Sequence, residues 1–198
     1  MNKHSAIIIG GSPFVNTVDL PRINTDKFDI IAINRQPLNI KTKCLIAHDT
    51  DFRACHSEQE VQSILKQGLN PVFLAPKTQF IHETTGWKWK MNIVSHEDKL
   101  VGFCMYTCSS AINFAYLKGY KNVYLVGVDL EENNKPFTHW HGVTNLVAVP
   151  DACAKQCKDY MYQYQKWLNL YQCNPAIANQ WNCDYKDIKN LYRQWEGE

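Results

Sequence analysis

Apolar residues in this chain fall in short clusters rather than in long amphipathic stretches. Six such runs stand out: Ala6–Ile9, Asp29–Ile33, Cys44–Ala47, Pro71–Leu74, Val123–Val128 and Leu168–Tyr171. Brief runs of this kind predict strands covered on both faces, as in a parallel sheet with helices packed against it. Between the third and fourth runs, Ser57–Gln67 predicts a helix, with Ser57 and Glu60 as a capping box and Gly68 as the residue that ends it. Ser109–Lys118, closed by Gly119, predicts a second helix, and the Tyr- and Gln-rich Ala152–Leu168 a third. Strands alternating with helices imply right-handed βαβ units. The expected fold is therefore a single α/β domain over residues 1–198, with a Rossmann-like, doubly wound, mainly parallel sheet.

Three segments break the alternation. Lys77–Leu100 reads as an insertion on the rim of the sheet, with an extra hairpin. Glu131–Pro150 (EENNKPFTHWHGVTNLVAVP) has no clear period, and a loop of that length in a compact domain is usually a lid or a binding loop. The tail after Asn174 carries Trp181, Tyr185, Leu191, Tyr192 and Trp195, a pattern expected to pack back as a helix or to meet a partner.

Composition narrows the class without naming it. Of the 198 residues, 45% are hydrophobic and 20% charged, and the net charge of +2 gives no sign of nucleic acid or an anionic membrane as partner. The apolar stretch after Lys3 is too short for a signal peptide, and no run reaches the length of a membrane span, so a cytoplasmic location is expected. The eight cysteines include no CxxC. Cys104 with Cys108, and Cys153 with Cys157, are spaced four apart on expected helices, where two ligands on one face could meet a metal. In a chain with no export signal, buried reduced thiols are the expected state.

The chemistry gathers where the strands end. In open α/β sheets, ligands bind outside the carboxyl ends of the strands. The first run ends in Gly10-Gly11-Ser12-Pro13, the second in Asn34-Arg35, the third in His48-Asp49-Thr50-Asp51, and the fifth in Gly127-Val128-Asp129. The glycine turn bares backbone N–H groups that can approach a phosphate or ribose, although it is neither GxGxxG nor a P-loop. Asn34 can donate to and accept from a base or sugar, and a carboxylate such as Asp129 can hold a ribose diol. Thr107, Ser109 and Ser110 begin an expected helix, a place suited to an anion. Asp49 and Asp51 form an Asp-x-Asp that could hold a divalent cation on a diphosphate. His139 and His141, in the long loop, titrate near neutrality and could take a proton from an acceptor hydroxyl.

These residues carry a resemblance. Thr107–Leu130 (TCSSAINFAYLKGYKNVYLVGVDL) resembles the "TSG…A…A…LGYKEIYLxGxDF" segment of the bacterial sialyltransferases of glycosyltransferase family 42. The same block occurs in their relatives of unknown function and in the archaeal-type 6-hydroxymethylpterin diphosphokinases. IIIGGSPFVNTVDLPRI with FDIIAINR is similar to that family's "GNGPS…I…FDVFRxNQ", and LYQCNP to its last core strand. The resemblance implies an inverting, metal-independent transfer of a sugar from a CMP-activated donor, with a histidine as general base. Gly10, Gly11 and Ser12 fall on the family's glycine turn, Asn34 on the Asn ending the second strand, and His48 on a further Asn. Thr107 falls on the serine before the central helix, Gly127 and Asp129 on Gly-x-Asp, and His139 or His141 on the base. The sequence departs from the family in the lid, where Glu131 replaces one tyrosine, and it lacks the basic residue before the central helix.

The expected function is therefore a sialyltransferase-like glycosyltransferase. Gly10, Gly11, Ser12, Asn34, Arg35, His48, Thr107, Ser109, Gly127 and Asp129 would bind the nucleotide donor, and His141, or else His139, would be the base. No cofactor or metal is expected. The expected partners are a nucleotide-activated sugar and a hydroxyl acceptor, and association into a homo-oligomer is left open. The alternatives are a pyrophosphokinase-like phosphoryl transfer using Mg²⁺ at Asp49 and Asp51, and a nucleotide-binding module without catalysis.

Overall fold

A computed structural model describes residues 4–34, 40, 42–47, 72–73, 88–91, 93–98, 100–104, 106–131, 136–138, 144–148 and 150–194. Its centre is a seven-stranded sheet built from β1 (Ser5–Ile9), β2 (Asp29–Ile33), β3 (Cys44–Ala47), β4 (Val72–Phe73), β7 (Asn122–Val126), β10 (Asn169–Gln172) and β11 (Asp184–Tyr185). The order is β11-β10-β7-β1-β2-β3-β4, and every neighbouring pair is parallel. The chain thus runs outward from β1 in one direction through β2, β3 and β4, and then returns to place β7 on the other side of β1. That reversal makes the fold doubly wound and opens a crevice between the carboxyl ends of β1 and β7.

Strand periodicity divides the apolar residues between two faces. Ala6 and Ile8 of β1, Ile31 and Ile33 of β2, and Val123 and Leu125 of β7 share one core cluster with α1 (Thr107–Leu117) and α2 (Asp151–Tyr162). Ile7, Ile9, Ile30 and Val126 form the opposite cluster with Val15, Leu20, Ile23 and Leu191. Burying each such Val, Ile or Leu side chain contributes about 1.5–3 kcal/mol. Helix α1 stops where Gly119 adopts φ +78, a conformation that costs a glycine nothing.

Several sequence expectations give way here. No α-helix joins β1 to β2: the second face is covered instead by 3-10 turns at Pro13–Thr17 and Leu20–Arg22. Each turn has a proline in its first two positions, where the ring fixes φ without costing an internal hydrogen bond. The rim insertion carries no hairpin among the described residues; β5 (Lys88–Met91) and β6 (Leu100–Phe103) pair in parallel. Segment 131–150 is not a structureless loop, because β8 (Pro136–Thr138) and β9 (Thr144–Ala148) pair antiparallel across a bulge. The third helix ends at Tyr162 and continues as a 3-10 turn over Gln163–Lys166. The tail forms no α-helix among the described residues: it adds the edge strand β11, and Tyr192 bridges to Ile23 to cover the second face. The expected helix at residues 57–67 lies outside the described residues.

Candidate functional site

The carboxyl ends of β1, β7 and β10 are tied into one polar knot centred on Asp129. Beyond β1, Gly10 N–H donates to the Val126 carbonyl at 2.8 Å and Ser12 N–H to the Gly127 carbonyl at 3.0 Å. A Cβ on Gly10 would overlap the Gly127 carbonyl, so only glycine lets the two strand exits lie this close. Gly127 itself sits at φ +66, and a Cβ there would strike Val15. Leu130, at φ 44, also holds the left-handed conformation, which is uncommon outside glycine and marks the turn after Asp129 as constrained by its surroundings.

Asp129 is held from three directions. Its Oδ2 accepts hydrogen bonds from the Ser12 hydroxyl and, at 2.9 Å, from Asn174 Nδ2. The Trp181 indole donates to its carbonyl at 3.0 Å, and Gln172 Nε2 donates to the Val128 carbonyl at 3.1 Å. Its Oδ1 is buried with no hydrogen-bond partner among the described residues. Burial pushes the Asp129 carboxyl above the ordinary carboxylate range; the bonds from Ser12 and Asn174 pull it back, and the charge of Glu131 adds to the rise. A buried carboxylate with one oxygen fully used and the other unmatched is well placed to accept from a hydroxyl donor of a ligand.

The other predicted residues take varied places. Asn34 ends β2 in the left-handed conformation, at φ 59, which Asn tolerates better than most residues. Its N–H donates to the Ile46 carbonyl at 2.9 Å, fixing it at the same edge of the sheet. The carboxyl-terminal end of α1 adjoins the amino end of β7, so its first turn points back toward the carboxyl edge. Thr107 and Cys108 open that turn, with Tyr106 capping it without a side-chain bond. Ser109 is fully buried and spends its hydroxyl twice, donating to the Tyr106 carbonyl and accepting from Cys104 N–H, both at 2.7 Å. Ser110 is fully buried, and its hydroxyl has no partner among the described residues. Arg35, His48, Asp49, Asp51, His139 and His141 lie outside the described residues.

Sequence reasoning missed Asn174, Gln172 and Trp181, which carry the knot from β10 and its exit. The signal was the Asn-Pro pair at Asn174-Pro175, a turn opener directly after an apolar strand. Asn113 was also passed over. Buried in α1, it donates to the Ser95 carbonyl at 3.0 Å and accepts from Gly102 N–H, which pins the rim insertion to the helix. Tyr160 of α2 does the same by donating to the Ile93 carbonyl at 2.5 Å.

Among solved structures, the monofunctional alpha-2,3-sialyltransferase Cst-I from Campylobacter jejuni matches with a TM-score of 0.55 at 15% identity, over 98% of this chain and 83% of that one. This chain has the sialyltransferase fold. The sialyltransferase CstII from the same organism, in complex with cytidine-5'-monophosphate, matches with a TM-score of 0.51 at 13% identity, over 98% of this chain and 89% of that one. CstII with CMP-3FNeuAc matches with a TM-score of 0.51 at 14% identity, over 96% and 88% of the two chains. No family model matches the sequence, and no curated protein matches it. Within this fold, the expected single α/β sheet stands as read, and no helix among the described residues is long and apolar enough to cross a membrane.

Proposed function

We propose that this protein is a glycosyltransferase that moves a sugar from a CMP-activated donor to an acceptor hydroxyl with inversion. The observation that carries the reading is the Asp129 knot at the reversal point of a sheet whose fold is shared with sialyltransferases, one of them in complex with cytidine-5'-monophosphate. In the proposed complex the nucleotide lies across the exits of β1, β2 and β7. Gly10 and Ser12 spend their N–H groups on the exit of β7, so the turn offers the nucleotide the backbone of Gly11, and Asp129 Oδ1 takes a hydroxyl of the ribose. The first turn of α1, opened by Thr107 and Cys108, faces the departing phosphate, and the positive end of the helix stabilises its charge. His141, or His139 in its place, takes the proton of the acceptor hydroxyl as it attacks the anomeric carbon from the face opposite the phosphate. Segment 131–150, with its β8–β9 pair, closes over the donor and excludes water. No metal takes part.

A thermal-shift series with CMP, CDP, UDP, GDP and ATP tests the donor class. A ligand at 100 times its Kd adds about 2.7 kcal/mol of stability. CMP is expected to give the largest shift. A shift with ATP and Mg²⁺ and none with CMP would replace sugar transfer by phosphoryl transfer.

A further inference from the structure

The two cysteine pairs singled out in the sequence converge between α1 and α2. Cys108, in the first turn of α1, and Cys157, in the middle of α2, have their sulfurs 3.9 Å apart. Both are buried, Cys157 completely and Cys108 at 6% exposure. Cys104 lies against the same helix, its sulfur 3.9 Å from the Gln156 carbonyl, while Cys153 stands one turn before Cys157 and is partly exposed. The cluster is not arranged as a metal centre: among the described residues no three His, Cys, Asp or Glu side chains gather as a metal ion would require. What it offers is one pair of sulfurs in contact across two packed helices.

We propose that Cys108 and Cys157 form an oxidative modification site, closing to an intramolecular disulfide when a low-molecular-weight disulfide reaches them. A disulfide needs sulfurs about 2.05 Å apart, so the two must approach by about 1.9 Å, a distance within the swing of two side chains in contact. The roles of the two are unequal. Cys157 holds its proton, because the hydrogen bond to Cys108, then burial, then the Cys108 charge push its thiol well above the usual range. Cys108 is the less buried of the two, so it meets the small disulfide first and is the attacking sulfur. It releases its proton to solvent and displaces one thiolate from the small disulfide, forming a mixed disulfide at its own sulfur. Cys157 then gives its proton to a departing thiolate and attacks the Cys108 sulfur, expelling the second. Two protein thiols and one small disulfide become one protein disulfide and two small thiols. Access comes through local opening around Cys108, so closure is slow compared with an exposed thiol.

The experiment uses the reduced full-length protein and oxidised glutathione as the probe, followed by alkylation, trypsin digestion and mass spectrometry. The expected product has lost two hydrogens and joins the peptide 100–118 to the peptide 156–158. Fragmentation should assign the bond to Cys108 rather than Cys104. Its melting temperature should rise by several degrees, because the cross-link closes a loop of roughly 50 residues in the unfolded chain, and dithiothreitol should reverse the rise. Cys108→Ser and Cys157→Ala should each abolish the cross-link, while Cys173→Ser should leave it. A bond between any other pair, a glutathione adduct on Cys153 or Cys183 alone, or a protein that keeps both thiols free would each overturn the proposal; the wild-type digest decides even if a variant fails to fold.

Discussion

Replacing Asp129 by Asn separates the two tasks assigned to this side chain, tying strand exits together and receiving a ligand hydroxyl. The amide oxygen can still accept from Ser12 and Asn174, so the knot survives, and the amide nitrogen takes the place of the unpartnered Oδ1. Only the charge and one acceptor are lost. Because burial raises the carboxyl above its ordinary range, the folded protein holds a proton at pH values where the unfolded chain has already lost it. That group therefore supports folding on the acid side, and its support is lost as pH rises through the raised value. Asp129→Asn should keep or raise stability at neutral pH and flatten that part of the pH profile, as read by urea denaturation. Binding should respond in the opposite sense. A hydrogen bond to a charged acceptor is worth about 1.5–3 kcal/mol, which weakens nucleotide affinity by about 10–150-fold. Calorimetric titration with CMP measures that loss. If the variant instead loses about 2 kcal/mol or more of stability while binding CMP as tightly as wild type, Asp129 is a structural tie only and the donor site lies elsewhere.

The two left-handed glycines test the close approach of the strand exits. Gly119→Ala, with open space around it, should cost only the conformational strain of about 1–2 kcal/mol. Gly127→Ala should cost about 1–3 kcal/mol more, since its Cβ strikes Val15; equal costs in urea titrations would mean that the exits are not packed as described. Substituting the proposed general base, His141→Ala or else His139→Ala, should lower kcat by about 10²–10⁴ with nucleotide affinity preserved, and the ascending limb of the pH–rate profile should vanish. If neither the single variants nor the double variant loses more than about tenfold, less than general-base removal usually costs, no loop histidine is the base. Saturating EDTA should leave turnover intact, as should the pair Asp49→Asn and Asp51→Asn; loss restored by Mg²⁺ would turn the assignment toward phosphoryl transfer.

The sheet was legible because its physics is local. Ile7–Ile9, Asp29–Ile33, Cys44–Ala47 and Asn122–Val126 are short and enriched in branched residues, and strands buried on both faces have to be so. Gly10 and Gly127 were legible for a related reason: a bare backbone after an apolar run means that something comes close. In this structure it is first of all the other strand exit that comes close, a neighbour the sequence does not name. The connections were harder to read. Whether residues 10–28 wind into an α-helix or into two 3-10 turns depends on how much of the second face they must cover, and the tail from β11 to Tyr192 already covers part of it. The β8–β9 pair was hidden because a short two-stranded element with little core of its own leaves a weak alternation.

Polar residues on the buried elements were the least legible, and they decide how the site is built. Ser109 reads equally well as a phosphate ligand or as an internal strut, since an N-terminal serine supplies the same hydroxyl to either. Its two 2.7 Å bonds to the β6–α1 connection show the strut. Asn174 reads as a turn former, and it is one, accepting from Ala176 N–H at 3.0 Å while its amide nitrogen holds Asp129. An asparagine that does both couples the turn after β10 to the carboxylate at the crevice. Asn174→Ala should therefore loosen the turn and release Asp129 Oδ2 together, whereas Asn174→Asp should keep the turn and set a second negative charge against Asp129. The comparison isolates the coupling. Both variants should weaken CMP binding and raise the pH at which Asp129 ionises, since each removes a bond that pulls the carboxyl down, but Asn174→Asp should raise it further, because a like charge in contact disfavours ionisation. Carbon-detected NMR of the Asp129 carboxyl would follow that shift directly, and an unchanged titration in Asn174→Asp would mean that the hydrogen bond from β10 is not what sets the charge of this site.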